Sequence, residues 1–553
     1  MISSYPATGR SGRVGFATAA LGLCALALVA FGFYFAGFGF DVNDEAYQTM
    51  NAMEPRINPQ AVLASAISHV FGLAFGFSLY SMRILTFSLT VLSIGMAAAY
   101  YFRVRRDAVG SLLLFILVLA ASLCTPTKSR LIGWDCYAVF FTTLSMLSAV
   151  AVWRGGGWRC VALLGFSAAC ATLSRFPDVV VVPVALAAMF GHEGGDWRAG
   201  VRRSFLFLLV FLASMAVLLA VIYDGDPLVW ISSLRENLVS GHNVGRLVGA
   251  YIHTGRLDLL DIVLLSGFLF IVCRCSGKRR VVSVAFGGLC VVLLAVLFLK
   301  IDRMYYTVCR LLTAVVVISA AVYALSSSGV GDARWRRVFR ALVLLGFCVV
   351  PMAGSDGGTT KFMNLTSVPV CLLLLSELAD GRTAVALTRR LVWCVLAVIG
   401  VSMPFFTARH TTFDGGWLDA RSEVGHELLL RNTTTSQRAA EINEMLAEGR
   451  RVLPDSALIL GHNNRRFFSE YLWGSRNRLW PHSWSDRIFE DEEKVALLAE
   501  AIREGSVGDI VFVIYGANDH CDFEDNPMRR AIESTGKYRV ETYKWFIEFR
   551  RLP

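Results

Sequence analysis

The chain has 553 residues, of which 55% are hydrophobic and 17% charged, with a formal net charge of +10 at pH 7. Soluble chains carry about a quarter charged residues, so a protein that is soluble throughout is excluded. Residues 1–413 hold 34 Lys+Arg and 19 Asp+Glu, a net of +15, whereas residues 414–553 hold 19 and 24, a net of −5. The basic excess therefore belongs to the apolar front, where it reports membrane topology and not a nucleic-acid footprint. Of the 13 cysteines, all but Cys521 precede residue 413, mostly inside apolar runs, and read as small buried hydrophobes, not as a disulfide framework.

Taken from the start, Arg10 and Arg13 precede an apolar run over 14–40 that is too long for a signal-peptide core, so it is predicted to be the first membrane helix. A crossing helix needs about 20 mostly apolar residues. Thirteen segments meet that requirement or come near it: 14–39, 79–102, 109–125, 136–153, 159–173, 179–191, 204–223, 259–273, 281–299, 304–325, 338–353, 362–378 and 391–408. Alternate connections carry the basic clusters, among them Arg103-Val-Arg105-Arg106, Arg198/Arg202/Arg203 and Arg334/Arg336/Arg337/Arg340. By the positive-inside rule that side is cytoplasmic. The expected fold is thus a polytopic α-helical membrane protein of about 13 transmembrane helices over residues 1–413, embedded in the cytoplasmic (inner) membrane. Its N-terminus is cytoplasmic, and a small extracytoplasmic α/β domain follows over 414–553. In that tail, strands are predicted at 457–461, 509–515 and 538–549, with helices at 438–448, 492–504 and 527–534.

The outer connections hold the unusual residues. The first, 40–78, opens with Asp41-Val-Asn-Asp44-Glu45-Ala-Tyr47, three carboxylates within five residues directly after a membrane helix. Carboxylates in that position are either a solvated helix cap or part of a functional cavity. Beyond them, 45–53 and 60–76 read as amphipathic pieces lying on the membrane. The second connection brings Lys128, Arg130 and Asp135; the third holds Ser174-Arg175-Phe-Pro177-Asp178; the fifth holds Asp302-Arg303, with Arg310 on the same face of the next span. Carboxylates and cations on one side supply the types that a general base and an anion clamp require. A single cation at a helix end is ordinarily a snorkelling side chain. Asp519-His520-Cys521-Asp522 reads as a polar loop, because four sequence neighbours rarely converge on one ion. Gly354-Ser-Asp-Gly-Gly lacks the phosphate-loop spacing and reads as an outer turn.

The Asp44-Glu45 pair followed by Tyr47, at the start of a long first outer loop, resembles the acidic motif of GT-C membrane glycosyltransferases. Protein O-mannosyltransferases and lipid A aminoarabinose transferases are the most similar groups. Arg83 at the start of the second span, Asp135 after the second outer connection and the Ser174-Arg175-Phe-Pro177 turn are similar to elements of that group. The resemblance implies an enzyme that moves a hexosyl or pentosyl unit from a polyprenyl-phosphate donor to an acceptor hydroxyl on lipid, glycan or protein, at the outer face. It assigns the general base to Asp44, with Glu45 and Asp41 as substitutes. Asp135 orients the acceptor or holds a divalent cation, and Lys128, Arg130, Arg175, Arg83 and Arg303 bind the donor phosphate. The alternatives are a transporter or flippase of lipid-linked glycans, and a glycan polymerase or ligase using a diphosphate-linked donor.

Overall fold

The computed structural model describes residues 11–39, 44–125, 132–191, 197–239, 244–326, 332–355, 358–361, 365–378, 382–410, 414–454, 457–461, 466–474, 479, 492–514 and 526–553. Among them, seven helices are long and apolar enough to cross a membrane. These are α1 (Ser11–Phe35), α4 (Leu79–Arg105), α6 (Trp134–Trp153), α9 (Trp197–Ile222), α12 (Arg279–Leu299), α13 (Met304–Leu325) and α16 (Thr383–Arg409). Between them lie α2 (Asp44–Met53), α3 (Val62–Phe75), α5 (Ala108–Leu123), α7 (Trp158–Ser174), α8 (Val181–Ala188), α10 (Leu228–Val239), α11 (Val244–Arg274), α14 (Asp332–Val349) and α15 (Ser367–Glu377). The chain is a polytopic helical membrane protein, and a lipid bilayer is its surroundings. α6 and α13 are largely enclosed by neighbours, while α9 and α12 turn Val221, Val284 and Leu299 outward, as helices facing lipid do.

Local signals set the corners. α4 starts at Ser78, whose hydroxyl accepts the Ser81 amide at 3.2 Å, and it ends at Arg106, which takes the left-handed conformation (φ 56°). One residue on, the Asp107 carboxylate accepts the Gly110 amide at 2.9 Å and opens α5. A left-handed stop followed by an Asp cap reverses the chain within three residues.

Contacts sort the helix ends into two groups. At one end Arg105 donates to Ser376 O (3.1 Å), Arg154 pairs with Glu377, and Arg340 donates to Gly191 O (2.9 Å) and Trp153 O (3.4 Å). At the other end Arg56 pairs with Asp224 and donates to Ile222 O (2.8 Å), and Trp230 donates to Pro59 O (2.8 Å). Arg105, Arg154 and Arg340 come from three of the basic connections, and they meet at one end of the bundle.

The last 140 residues carry the sheet. Four strands run in the order β3 (Leu458–Gly461), β4 (Ile510–Val513), β6 (Phe546–Arg551), β5 (Tyr538–Thr542), with β3 parallel to β4 and the other pairs antiparallel. Side chains alternate across a strand, so β4 serves two cores. Ile510 and Phe512 pack with α19 (Glu492–Glu504) and α20 (Pro527–Ser534) through Leu498, Ile502, Met528 and Ile532. Val511 and Val513 face α17 (Ser436–Val452) through Ile442 and Met445.

That second core does not stop at the tail. It includes Ala46, Tyr47 and Met50 of α2, Leu79 and Met82 of α4, and Ile132. α18 (Arg466–Leu472) lies against α2. A short hairpin, β1 (Arg421–Glu423) and β2 (Thr433–Thr435), pairs with the end of α1: Gly39 N donates to Thr433 O and Thr433 N to Gly37 O, both at 2.8 Å. The compositional boundary near residue 413 is therefore not a boundary in packing.

Two sequence expectations change. Residues 538–549 form two strands, not one, because Tyr543 N closes on Phe546 O (2.8 Å) and Glu448 of α17 accepts the Trp545 amide (2.8 Å). The segment 45–53 is buried on more than one amphipathic face: α2 is enclosed between the start of α4 and the tail. The β1–β2 hairpin and α18 lacked a readable pattern.

Tyr471 of α18 ties these parts together, donating to Phe77 O at 2.9 Å and Leu428 O at 3.0 Å. Burial, with Glu45 nearby, pushes its phenol well above the ordinary value, so it stays a neutral donor. Tyr471→Phe strands both carbonyls and is expected to cost about 1–3 kcal/mol. Limited proteolysis of the tail in detergent checks this: the variant is cut faster than the wild type.

Candidate functional site

The first outer connection is organised around one buried ion pair. Arg83, in the first turns of α4, donates Nε to Glu45 Oε1 at 2.6 Å and Nη2 to Glu45 Oε2 at 2.5 Å. Its Nη1 donates to Ala36 O (2.8 Å) and Phe38 O (3.1 Å). Both side chains are fully buried. Glu45 Oε1 also accepts the Ile132 amide at 3.3 Å. One bidentate pair thus joins the end of α1, the start of α2, the start of α4 and the approach to α6. Bidentate Arg–carboxylate geometry is directional, so it fixes orientation as well as proximity.

This geometry reassigns two residues. Arg83 was expected to bind the donor phosphate, but its guanidinium is turned into Glu45 and two carbonyls. Glu45 was a substitute base, but its carboxylate is closed off from solvent. Asp44 differs: it is exposed in the first turn of α2, one residue before the anchor. Its neighbour on the far side of the pair, Tyr47, packs edge-on to Trp134 with ring centroids 6.2 Å apart. α2 and the start of α6 therefore stand side by side.

Asp135 sits in the first turn of α6 and meets the third outer connection. Arg175 Nε lies 3.1 Å from Asp135 Oδ1. Its Nη1 pairs with Asp178, and its Nη2 donates to Ala353 O at 2.7 Å. Arg175 is 8% exposed and Asp178 fully buried. Asp178 Oδ2 has no hydrogen-bond partner. Tyr251 of α11 donates its hydroxyl to Met352 O, next to the carbonyl that Arg175 uses. Gly354 (φ 67°) permits this convergence, since a Cβ there would meet the Pro177 ring at 2.9 Å. Sequence reading had picked out Asp135 and Arg175 but had given no role to Asp178 or Tyr251. The three-residue spacing of Arg175 and Asp178 was the available signal.

The remaining candidates fall elsewhere. Arg303 is exposed at the corner between α12 and α13, beside Asp302, whose carboxylate lies 3.2 Å from His410 Nε2 at the end of α16. Among the described contacts it does not join the Asp135 group. Asp41, Lys128 and Arg130 lie outside the described residues, as does the 519–522 loop. Among the described residues no three His, Cys, Asp or Glu side chains gather as a metal cage.

The arrangement offers an exposed carboxylate on a firmly anchored helix and, where the start of α6 meets the turn after α7, an arginine held between two aspartates. No protein-family model and no curated protein matches the chain.

Arg83→Met strands the Glu45 carboxylate in an apolar site and is expected to cost about 3–5 kcal/mol. Thermal unfolding in detergent reads this loss. Adding Glu45→Leu is expected to recover part of it, because a packed apolar pair replaces a buried ion pair at little net cost.

Proposed function

We propose that this protein is a membrane glycosyltransferase of the GT-C type, which moves a sugar from a polyprenyl-phosphate donor to an acceptor hydroxyl at the outer face of the membrane. In this reading all thirteen apolar segments cross the bilayer. The basic ends of the helices are cytoplasmic, and the tail lies outside, over the acid-bearing loop.

The observation that carries the reading is the division of labour between Asp44 and Glu45. Glu45 is locked to Arg83 and holds α2 in place, and this leaves Asp44 presented at the helix start. A general base must be held in a fixed position and still be reachable by substrate. A pair in which one acid anchors and the other is exposed meets both demands. In the second and third outer connections, the Asp135–Arg175–Asp178 group holds a cation in place with carboxylates on both sides.

The reaction is a single displacement. Asp44 takes the proton of the acceptor hydroxyl as that oxygen attacks the anomeric carbon of the donor sugar. The bond from that carbon to the phosphate oxygen breaks, and polyprenyl phosphate leaves with the bonding electrons. Negative charge grows on the phosphate in the transition state, and the basic residues of the outer connections that are not tied up in carboxylate pairs stabilise it. Asp135 holds Arg175 and orients the acceptor. Attack from the face opposite the phosphate inverts the anomeric centre.

Asp44→Asn is expected to lower transfer by about 10²–10⁴-fold, with thermal unfolding unchanged. Membranes supplied with labelled polyprenyl-phosphate sugars, with the product identified by mass spectrometry, test this. Full transfer by the variant removes Asp44 as the base.

A further inference from the structure

The tail meets the acid-bearing loop at a second place besides α18, and there it does so through charged side chains. Asp414 and Arg421 lie at the foot of the tail, between α16 and the β1–β2 hairpin. Trp417 N donates to Thr407 O at 3.2 Å, and a Cβ on Gly416 would run into Ala408 O, so this segment is folded back on the end of α16. Asp414 accepts the Thr435 amide at 3.2 Å and the Thr434 hydroxyl. Arg421 Nη2 lies 3.4 Å from Asp414 Oδ2, and Arg438 Nη1 of α17 lies 3.9 Å from the same oxygen. The side chains of the closer pair are out of water, Asp414 at 2% and Arg421 at 7% exposure.

The rest of the Arg421 fork is used on β2 and the turn before β1. Nη2 donates to Thr433 O at 2.7 Å, Nη1 to Gly416 O at 3.1 Å and Nε to Thr433 Oγ1 at 3.2 Å. The guanidinium also covers the Phe38 ring, with Cζ 4.9 Å from the ring centroid. Such a contact is attractive, and more so when shielded from water. Residue 38 is thus held in three ways. The hydrogen bonds of Thr433 to Gly37 and Gly39 bracket its backbone. Arg421 covers its ring. Its carbonyl accepts Arg83 Nη1 at 3.1 Å. Gly37 lets the hairpin come this close, since a Cβ there would lie 2.9 Å from Arg431 O.

Two arginines meet at the end of α1, one from the tail and one from α4, near enough to oppose each other's charge. Each has its own buried carboxylate, Asp414 for Arg421 and Glu45 for Arg83. Buried ions are tolerated only where geometry is closely held, and Phe38 is the piece shared by the two pairs. Every link from Arg421 to the exposed acid is direct: Arg421 on the Phe38 ring, the Phe38 carbonyl on Arg83, Arg83 on Glu45, and Glu45 next to Asp44 in the first turn of α2. We infer that Arg421 is a positioning residue, through which the tail sets the orientation of α2 and with it the direction of Asp44. Arg438 serves as the comparison: it faces the same Asp414 oxygen, but among the described contacts it does not reach residue 38. The role of Asp44 in this inference rests on the transferase reading; the link from Arg421 to α2 does not.

The full chain in lipid nanodiscs is compared with Arg421→Gln, Phe38→Leu and Arg438→Gln. Hydrogen exchange followed by mass spectrometry reads the amides of α2 (44–53) and of β4 (510–513). Arg421→Gln and Phe38→Leu are expected to speed exchange in α2 by about tenfold, with β4 unchanged. Arg438→Gln is expected to leave α2 as in the wild type. In the first two variants kcat for transfer from a polyprenyl-phosphate hexose is expected to fall by up to about 10²-fold, with KM for that donor unchanged, because the base is misdirected and the donor is not. Phe38→Leu leaves the Asp414 pairs in place, so it separates the link from the folding of the tail. Wild-type exchange of α2 in both variants overturns the proposal. Equal loosening of α2 by Arg438→Gln also overturns it, and so does an unchanged kcat once α2 has loosened. If α2 loosens as expected but the wild type transfers no sugar, the link to α2 stands and the transferase reading falls.

Discussion

A guanidinium and a carboxylate, both fully out of water, hold the centre of this protein. Arg83 and Glu45 are drawn from segments 38 residues apart, and between them they take in two carbonyls at the end of α1 and one amide before α6. Taking two charges out of water costs several kcal/mol for each ion, and only excellent geometry offsets it. The bidentate contact provides that geometry. What the fold gains is definition: with this pair in place, α2 has one position and one rotation, and every residue on it faces a set direction. The exposure of Asp44 and the burial of Tyr47 both follow from that constraint.

Around this anchor the protein sorts polar groups by depth. Cations at one end of the bundle contact helix-terminal carbonyls and Glu377. At the other end they are matched with aspartates, as in Arg175 with Asp135 and Asp178, and Arg56 with Asp224. Ionisable groups beside hydrocarbon are expensive and are retained where they face a partner or a cavity. Arg310 with Asp261, farther along the helices, obeys the same rule.

Much of this was legible in the sequence, because apolar length and basic alternation are local properties. The apolar stretches coincide with helices, and in the tail α19 and α20 fall where the pattern put them. What was not legible depended on distant partners. The resemblance gave Arg83 to the donor phosphate, and nothing in the neighbouring residues reveals that Glu45 will fill its guanidinium. The turn at 543–545 contains no glycine, proline or asparagine, and it forms because Glu448 reaches over from α17. Aspartate and tyrosine types pointed to the region of the site; only packing divided anchor from exposed acid.

The pairing of Thr433 with Gly37 and Gly39 joins residues almost 400 positions apart. A ribosome makes the end of α1 first and β2 only after every membrane segment has been synthesised. Until then α2 lacks the cover that α18 and the hairpin provide, and Phe77 lacks its tyrosine. The loop bearing the acids is therefore among the first segments made and the last to be finished. A chain halted in the tail has its spans but no enclosed loop, so completion of synthesis is itself the step that assembles the site.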